Sequence, residues 1–329
     1  MKGKERLHGI LNTLGVYVLV LALFAVGCLL SQEFFTEKNL LNTLGAVALL
    51  GIVAVGVAFV TYSQHYLDLS IPGIMALSGI IAVSALPYGF MASLTAGIAV
   101  GVTIGLVNGL VVGYLRLNPI IWTLAMMSVL SGVIRKVYAG RQVYPDEATA
   151  AGRAFLDLYH TEIFGWLPLP IALLAFIAAA GTVIMWKSGF GARLKLTGSS
   201  YEVARMTGVH VPRTVMTAFV ICSVSSSIAG ILLTSFNRVG AQYIGKGYDF
   251  DAITAVVIGG MTLTGGRGSV PGVVGGVIVI ALLNNIMSLV KIGDFTIGSF
   301  EKTIIQGAIF ILVVGINSYV QRTSGLDDA

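Results

Sequence analysis

Long apolar stretches without a single charged residue run through this sequence and constrain its fold more than any other feature. They span residues 7–32, 39–67, 69–115, 117–134, 163–186, 214–237, 252–266, 268–290 and 303–321. A helix needs about 20 apolar residues, each rising 1.5 Å along its axis, to cross the hydrocarbon core of a membrane. Because the stretches are continuously apolar and do not alternate, they exclude a transmembrane β-barrel and predict a helical, polytopic membrane protein.

Composition points to the same class. Of the 329 residues, 56% are hydrophobic and 11% are charged, whereas a soluble globular protein carries about 25% charged residues. A disordered chain is also excluded, because such chains are poor in apolar residues. Cys28 and Cys222 are the only cysteines and lie in apolar stretches, which favours small buried side chains over disulfide, redox or metal chemistry. The net charge of +5 is spread thinly, so we expect no nucleic-acid partner.

The stretches divide into ten membrane segments, since residues 69–115 suffice for two spans with a turn at Pro87–Gly89. Ten spans place both termini on one side of the membrane. A cytoplasmic N-terminus puts 11 of the 20 Lys and Arg residues on the cytoplasmic side and ten of the 15 acidic residues outside. This topology predicts a cytoplasmic tail at 1–9, an outer segment at 135–165 and a cytoplasmic loop at 187–213.

Two of the ten segments are irregular. Residues 252–266 are few and end in a glycine pair, and residues 69–85 open with Ile-Pro-Gly. The sequence Ser70–Gly73 is echoed by Ser269–Gly272, as expected for two related halves that each contain an interrupted helix. The predicted fold class is therefore an all-α polytopic membrane protein, a single transmembrane domain over residues 1–329.

The outer segment 135–165 mixes charges with the apolar residues Phe155, Leu156 and Leu158. This pattern is typical of a short amphipathic helix at the membrane surface, and a solvated loop is the alternative.

A few polar residues at membrane depth are candidates for lining a transport path. Asp68 is the only acidic residue at that depth in the first half, which favours a functional or cavity-facing group. The alternative is a cap that accepts backbone N–H bonds where Pro72 opens a helix. His65 has no acidic or histidine partner in the core, so we favour a polar wall for a hydroxylated substrate over a proton relay. The candidate path residues are Gln64, His65, Asp68, Asn118, Thr123, Thr262 and Thr264.

Glycines recur every four residues along one predicted helix, at Gly97, Gly101, Gly105, Gly109 and Gly113. This spacing puts them near one face, where a neighbouring helix can approach closely, so we assign them to helix packing. Asn108 on the same helix either bonds across this seam or faces a cavity, and the structural role is favoured.

No catalytic or metal-binding constellation is present in the sequence. The four histidines are scattered and lack metal-ligand spacing. Residues 240–247 imitate a phosphate-binding loop, but Gly247 stands where a Ser or Thr would hold magnesium, and an apolar helix precedes the loop instead of a strand. We therefore expect a chain that is not an enzyme and does not hydrolyse ATP.

The cytoplasmic loop contains a predicted helix of barely two turns over Tyr201–Met206. Ser199 or Ser200 can cap it, Glu202 lies in its first turn and Gly208 ends it. A helix this short is unstable alone and needs a docking surface. It is well placed to transmit motion from a soluble partner, whereas an idle surface loop is the alternative.

Several motifs together resemble those of one known family. They are Ala54–Val60 leading to Leu67–Ser70, then Tyr114–Leu124, Gly198–Gly208, Asp249–Gly260 followed by Gly265–Ser269, and finally Asn284–Asn285. They resemble the permease subunits of bacterial ABC importers for ribose, xylose, arabinose and related sugars, over about residues 40–320. The chain departs from the family pattern at His65 and Tyr66, where glycines are usual, and at Pro72.

The resemblance implies a permease fold in the bacterial inner membrane, with two permease chains, identical or different, around a central path. It implies a periplasmic sugar-binding protein at the outer segment and a cytoplasmic ATPase that uses ATP and magnesium, while this chain binds no cofactor. The loop helix would be the coupling helix that docks on the ATPase. The implied coupling residues are Ser200, Tyr201, Glu202, Ala204, Arg205 and Gly208.

Two alternatives remain open. Within the importer class, the substrate is a nucleoside, a polyol or a branched-chain amino acid, because these permeases share related motifs. From a different class, the chain is a standalone secondary carrier that needs no ATPase.

Overall fold

The structure is a computed structural model that describes residues 2–63, 67–292, 295–296 and 298–323. The helices within these residues are α1 (Lys2–Leu30), α2 (Glu37–Tyr62), α3 (Ile71–Ser84), α4 (Phe90–Gly113), α5 (Pro119–Tyr138), α6 (Ala150–Asp157), α7 (Leu169–Lys187), α8 (Gly189–Ser199), α9 (Tyr201–Met206), α10 (Val211–Asn237), α11 (Tyr248–Ile258), α12 (Val270–Leu289) and α13 (Ser299–Thr323). Two antiparallel hairpins pair β1 (Glu162–Ile163) with β2 (Leu167–Pro168), and β3 (Lys291–Ile292) with β4 (Phe295–Thr296).

Each of the ten predicted membrane segments contains a helix, which confirms an all-α polytopic membrane protein. In the described part of the chain, α2, α4, α5, α7, α10 and α12 are long and apolar enough to cross a membrane. The two segments predicted to be irregular contain the short helices α3, with 14 residues, and α11, with 11. A 3₁₀ turn at Leu86–Tyr88 and Gly89 at φ 110° separate α3 from α4, as predicted.

The core lies around α2. Every side chain from Val47 to Tyr62 is buried, because α2 is surrounded by α7, α10, α11 and α12. The second central helix is α10, which packs on α2, α3 and α4. Helices in a membrane gain little from the hydrophobic effect between them and associate through close van der Waals packing. Small residues on α2, such as Gly51, Ala54 and Gly56, allow that close packing.

Side-chain caps fix where several helices begin. The Asn118 Oδ1 oxygen accepts from the Ile120 and Ile121 N–H groups at the start of α5, and Pro119 follows at the first helical position. The Ser269 hydroxyl accepts from the Gly272 N–H at the start of α12. These contacts satisfy N–H groups that have no partner inside the helix.

The segment 135–165 contains a short amphipathic helix, α6, as its pattern predicts. Phe155 and Leu156 on α6 are buried, and Phe155 packs in one cluster with Leu86 and Ile231, so the apolar face of α6 contacts the protein. The backbone carbonyl of Phe155 accepts a 2.7 Å hydrogen bond from the Ser235 hydroxyl on α10. The hairpin of β1 and β2 follows, and α7 therefore begins six residues after the charge-free stretch that starts at 163.

Candidate functional site

Both predicted interruptions are present, and they are the focus of the site. We call the described residues between α2 and α3, which are 63 and 67–70, the first break, and residues 259–269, between α11 and α12, the second break. Gln64 and His65, two of the predicted path residues, lie outside the described residues.

Asp68 is fully buried in the first break. Its Oδ1 oxygen accepts a 2.9 Å hydrogen bond from the Ser70 backbone N–H and a second, short one from the Ser70 hydroxyl. Asp68 therefore accepts the N–H of the residue that precedes α3, which is a bond within the first break, and α3 itself begins without a side-chain cap. Its Oδ2 oxygen has no hydrogen-bond partner among the described residues.

Asn108 connects this arrangement to two further helices. Its Nδ2 group donates a 3.0 Å hydrogen bond to the Ser70 hydroxyl, and its Oδ1 oxygen accepts a 2.9 Å bond from the Trp122 Nε1–H. Asn108 lies on α4 and Trp122 on α5, so one buried network joins the first break to both. Asn108 thus has a structural role, but its bonds go to the first break and to α5 and do not cross the glycine seam, which faces α10.

Two more of the predicted path residues, Asn118 and Thr123, lie near the start of α5. Thr123 is buried, and its hydroxyl oxygen accepts a 3.0 Å hydrogen bond from the Leu69 N–H. Asn118 is exposed, and its amide oxygen is used in capping α5. Thr123 therefore contacts the first break directly, whereas Asn118 does not.

The second break is a tight turn that is stabilised by hydrogen bonds among its own residues. The Thr262 hydroxyl donates to the Gly265 carbonyl at 3.0 Å, and the Thr262 N–H donates to the Arg267 carbonyl at 3.3 Å. Thr264 is exposed. The Gly266 N–H donates a 3.0 Å hydrogen bond to the carbonyl oxygen of Tyr62, the last residue of α2. This bond joins the second break to the beginning of the first.

The glycine seam of α4 faces α10. A Cβ built on Gly105 would lie 2.7 Å from the Val220 Cα atom, and one on Gly109 would lie 2.5 Å from the Met216 Cα atom. These distances leave no room for a side chain, since they are far shorter than ordinary carbon contacts of about 3.5–4.0 Å. The other glycines of the seam also lie against α10: Gly97 faces Ile231, Gly101 faces Ser223 and Ser227, and Gly113 faces Pro212.

The predicted loop helix is present as α9, with the predicted bounds. Of the two candidate caps, Ser200 is the one whose hydroxyl accepts from the Val203 N–H, at 3.3 Å. Gly208 follows at φ +79°, a backbone conformation that favours glycine. On α9 only Ala204 is buried, while Val203 is 50% and Met206 83% exposed. Glu202 and Arg205 are exposed as well.

Two ring contacts hold the neighbourhood of α9. The guanidinium carbon of Arg116, in the loop between α4 and α5, lies 4.7 Å from the centre of the Tyr201 ring. The ring centres of Tyr114, which follows α4, and His210, which follows α9, lie 6.0 Å apart. A guanidinium above a tyrosine ring is a cation–π contact, so α9 is attached to the loop that precedes α5.

A polar cluster joins α11, α12 and α13, and the sequence analysis identified only some of its residues. The Asp251 Oδ2 oxygen accepts from the Asn284 Nδ2 group at 3.4 Å and from the Gln306 Nε2 group at 3.3 Å, and Gln306 also donates to Asn284 at 3.0 Å. These residues line a cleft with room for roughly one water molecule. The sequence analysis did not identify Gln306, although an amide near the start of the apolar stretch 303–321 is a usable signal.

Comparison with known protein families gives one match over most of the chain. Residues 39–314 match the family described as branched-chain amino acid transport system / permease component.

Curated proteins of similar sequence agree with that match. The chain is 31% identical to the ribose import permease protein RbsC of Bacillus subtilis, over 94% of this chain and 95% of that protein. It is 32% identical to the L-arabinose transport system permease protein AraH of Escherichia coli, over 94% and 91%. It is 28% identical to the xylose transport system permease protein XylH of Escherichia coli, over 94% and 93%.

Proposed function

Because the chain belongs to the family of branched-chain amino acid transport system permease components, we propose that it is the membrane-spanning subunit of an ATP-driven sugar importer. The curated relatives named above are permease proteins for ribose, L-arabinose and xylose, and each matches over more than nine-tenths of its length. All three sugars are pentoses. The proposed substrate is therefore a monosaccharide of pentose or hexose size.

The observation that carries this proposal is the exposed face of α9. Val203 and Met206 are three residues apart, so they share one face of the helix, and both are largely exposed although they are apolar. A two-turn helix is unstable without a surface to dock on. An apolar face on such a helix, in the loop between α7 and α10, supports a soluble partner that covers it.

The partner proposed for this face is a cytoplasmic ATPase. In this mechanism, a binding protein delivers the sugar to the outer segment 135–165, and ATP binding closes two ATPase domains against two permease chains. The loop helix transmits this closure to the spans, and the path opens alternately to each side. The transporter works through its different affinities for ligands in two conformations, so no residue of this chain needs to be catalytic. ATP and magnesium are used by the ATPase.

The proposed location is the bacterial inner membrane, with both termini in the cytoplasm. The segment from Lys187 to Arg213 supports this orientation, because it contains five basic residues and one acidic residue, Glu202. Basic residues next to membrane spans favour the cytoplasmic side. The second permease chain is either a copy of this chain or a related one.

Two other functions are tested against this proposal. The family description names branched-chain amino acids, so leucine is the substrate to compare with the pentoses. A standalone carrier would need a coupling group, and Asp68 is the buried carboxylate in the first half. Its Oδ1 oxygen accepts from Ser70 and its Oδ2 oxygen has no partner among the described residues, so Asp68 is the residue to replace when a carrier mechanism is tested.

Mass spectrometry of the tagged chain, purified gently from its native membrane, tests the proposal. We expect to recover a soluble ATPase and a periplasmic binding protein. The ligand that raises the melting temperature of that binding protein then identifies the substrate among ribose, arabinose, xylose, a nucleoside, a polyol and leucine. Transport by the chain alone, driven by a proton or sodium gradient, would contradict the proposal.

A further inference from the structure

We propose that Gly198 and Gly266 are positioning residues that couple α9 to both breaks, so that movement of the loop helix reaches the two interrupted helices together. The inference rests on the proposed function, because it assigns a route to the motion that a docked ATPase would start. It concerns one backbone contact among three segments that are distant in the sequence.

The three segments meet at the Tyr62 carbonyl. Tyr62 ends α2 and directly precedes the first break, and Gly266 belongs to the second break. The hydrogen bond from the Gly266 N–H to the Tyr62 oxygen is 3.0 Å long. Gly198, in the last turn of α8, packs against both partners of this bond. We call this contact the junction of Tyr62, Gly198 and Gly266.

The junction has no room for side chains. A Cβ built on Gly198 would overlap the Tyr62 carbonyl oxygen and would lie 2.5 Å from the Gly266 nitrogen. A Cβ on Gly266 would lie 2.6 Å from the Ser199 Oγ atom, and Gly266 has φ +71°, which favours glycine. Around Gly198, backbone therefore touches backbone, so a displacement of Gly198 is passed to Tyr62 and Gly266.

The junction is continuous with α9. The Ser200 N–H donates a 3.0 Å hydrogen bond to the Leu196 carbonyl in α8, while the Ser200 hydroxyl caps α9. Two residues therefore separate Gly198 from the first residue of α9. Leu194 and Thr197 on α8 are fully buried, which fixes α8 against the core. A displacement of α9 is therefore transmitted to Gly198 through Ser199 and Ser200.

From the junction, both breaks lead into packed helices. The first break continues through Asp68 and Ser70 into the network of Asn108. The second break lies between α11 and α12, where a Cβ on Gly259 would lie 2.6 Å from the Val273 Cα atom. Closely packed elements switch between discrete arrangements and do not deform continuously, so a shift at the junction has to move both breaks.

A single added methyl group tests this route. Gly198→Ala inserts a Cβ into the junction, and Gly189→Ala is the matched control, because Gly189 starts the same helix and has open space around its built Cβ. The chain is reconstituted with its ATPase and binding protein, and sugar uptake and ATP hydrolysis are measured in the same vesicles. Gly198→Ala should keep ATP hydrolysis while uptake per ATP falls about ten-fold. Gly189→Ala should behave like the wild type.

An unchanged ratio of uptake to hydrolysis in Gly198→Ala would overturn the inference. If the wild-type complex shows no ATP-driven uptake, the proposed function itself fails, and the two failures are thus distinguishable.

A second measurement needs no mutation, in case Gly198→Ala does not assemble. Hydrogen exchange of the wild-type complex, with and without a trapped ATP analogue, is followed in the peptides 198–206 and 260–268. We expect exchange in both peptides to change together, because the Gly266 N–H is bonded across the junction. A change in 198–206 with none in 260–268 would overturn the proposed route.

Discussion

The hydroxyl oxygen of Thr123, on α5, accepts a 3.0 Å hydrogen bond from the backbone N–H of Leu69 in the first break. The same hydroxyl donates a 2.8 Å bond to the Pro119 carbonyl one turn earlier in α5. One buried side chain thus holds an irregular piece of backbone against a regular helix. Such N–H groups need partners, since leaving one unsatisfied inside a protein costs about 1–3 kcal/mol.

Replacing the Thr123 hydroxyl should therefore loosen the first break. We expect Thr123→Val to lower the free energy of unfolding by about 1–3 kcal/mol, since the Leu69 N–H loses its acceptor. Thr123→Ser keeps the hydroxyl and should lose less. The measurement is thermal unfolding of the purified protein in detergent. Thr103→Val is the control, because Thr103 is exposed on α4 and its hydroxyl bonds only to its own helix. Equal melting temperatures for Thr123→Val and wild type would contradict this role.

Asp68 provides a test of a structural role in the first break against path lining. Asp68→Ala removes the acceptor for the Ser70 N–H and hydroxyl and should cost about 1–3 kcal/mol, since buried donors lose their partner. Asp68→Asn keeps an acceptor oxygen and should retain more of the thermal stability. In transport assays, the KM for sugar should stay unchanged in Asp68→Asn, because the side chain is buried. A raised KM at an unchanged melting temperature would instead indicate contact with the substrate.

The glycine seam predicts a strong effect of side-chain size. Gly105→Leu places a large side chain where the Val220 Cα atom lies 2.7 Å from a built Cβ, so α4 and α10 must separate. Overpacking costs about 1–3 kcal/mol or more. We expect loss of most of the monodisperse peak in size-exclusion chromatography. Gly132→Leu on α5 should be tolerated, because nothing lies within 4 Å of its built Cβ. An intact, active Gly105→Leu complex would refute the packing assignment.

The exposed face of α9 predicts loss of partner binding without loss of folding. Met206→Asp puts a charge on an apolar face that the proposed ATPase covers, whereas Met206→Leu preserves the apolar character. Removing a buried apolar anchor from an interface costs about 2 kcal/mol or more, which corresponds to roughly a thirty-fold weaker association. The ATPase should co-purify with Met206→Leu but not with Met206→Asp, at equal amounts of each chain in the membrane. Equal recovery of the ATPase would show that this face is idle.

Much of the fold was predictable because it rests on local patterns. Uninterrupted apolar stretches allow only helices at membrane depth, since every backbone group must find a partner inside its own segment. The bounds of α9 follow from Ser200 and Gly208, which act on neighbouring backbone groups. The seam of α4 follows from a repeat of four, because residues at that spacing share one helix face.

The candidate site was less predictable, because its contacts join residues far apart in the sequence. Asn118 and Thr123 were equal candidates, yet Asn118 caps its own helix and Thr123 reaches the first break. Gln306 carries no motif and gains its contacts with Asp251 and Asn284 only through the packing of α13 on α11 and α12.

The sequence alone determined that the chain crosses a membrane repeatedly, where its helices are interrupted, and which loop contains a short capped helix. All of these follow from interactions within a few residues. Only the tertiary structure decided that Gly198, Gly266 and Tyr62 meet, and that the Ser70 hydroxyl accepts a hydrogen bond from Asn108. These contacts depend on how α2, α8, α11 and α12 pack together. Helices in a membrane pack through the fit of many weak contacts, and no single motif encodes that fit.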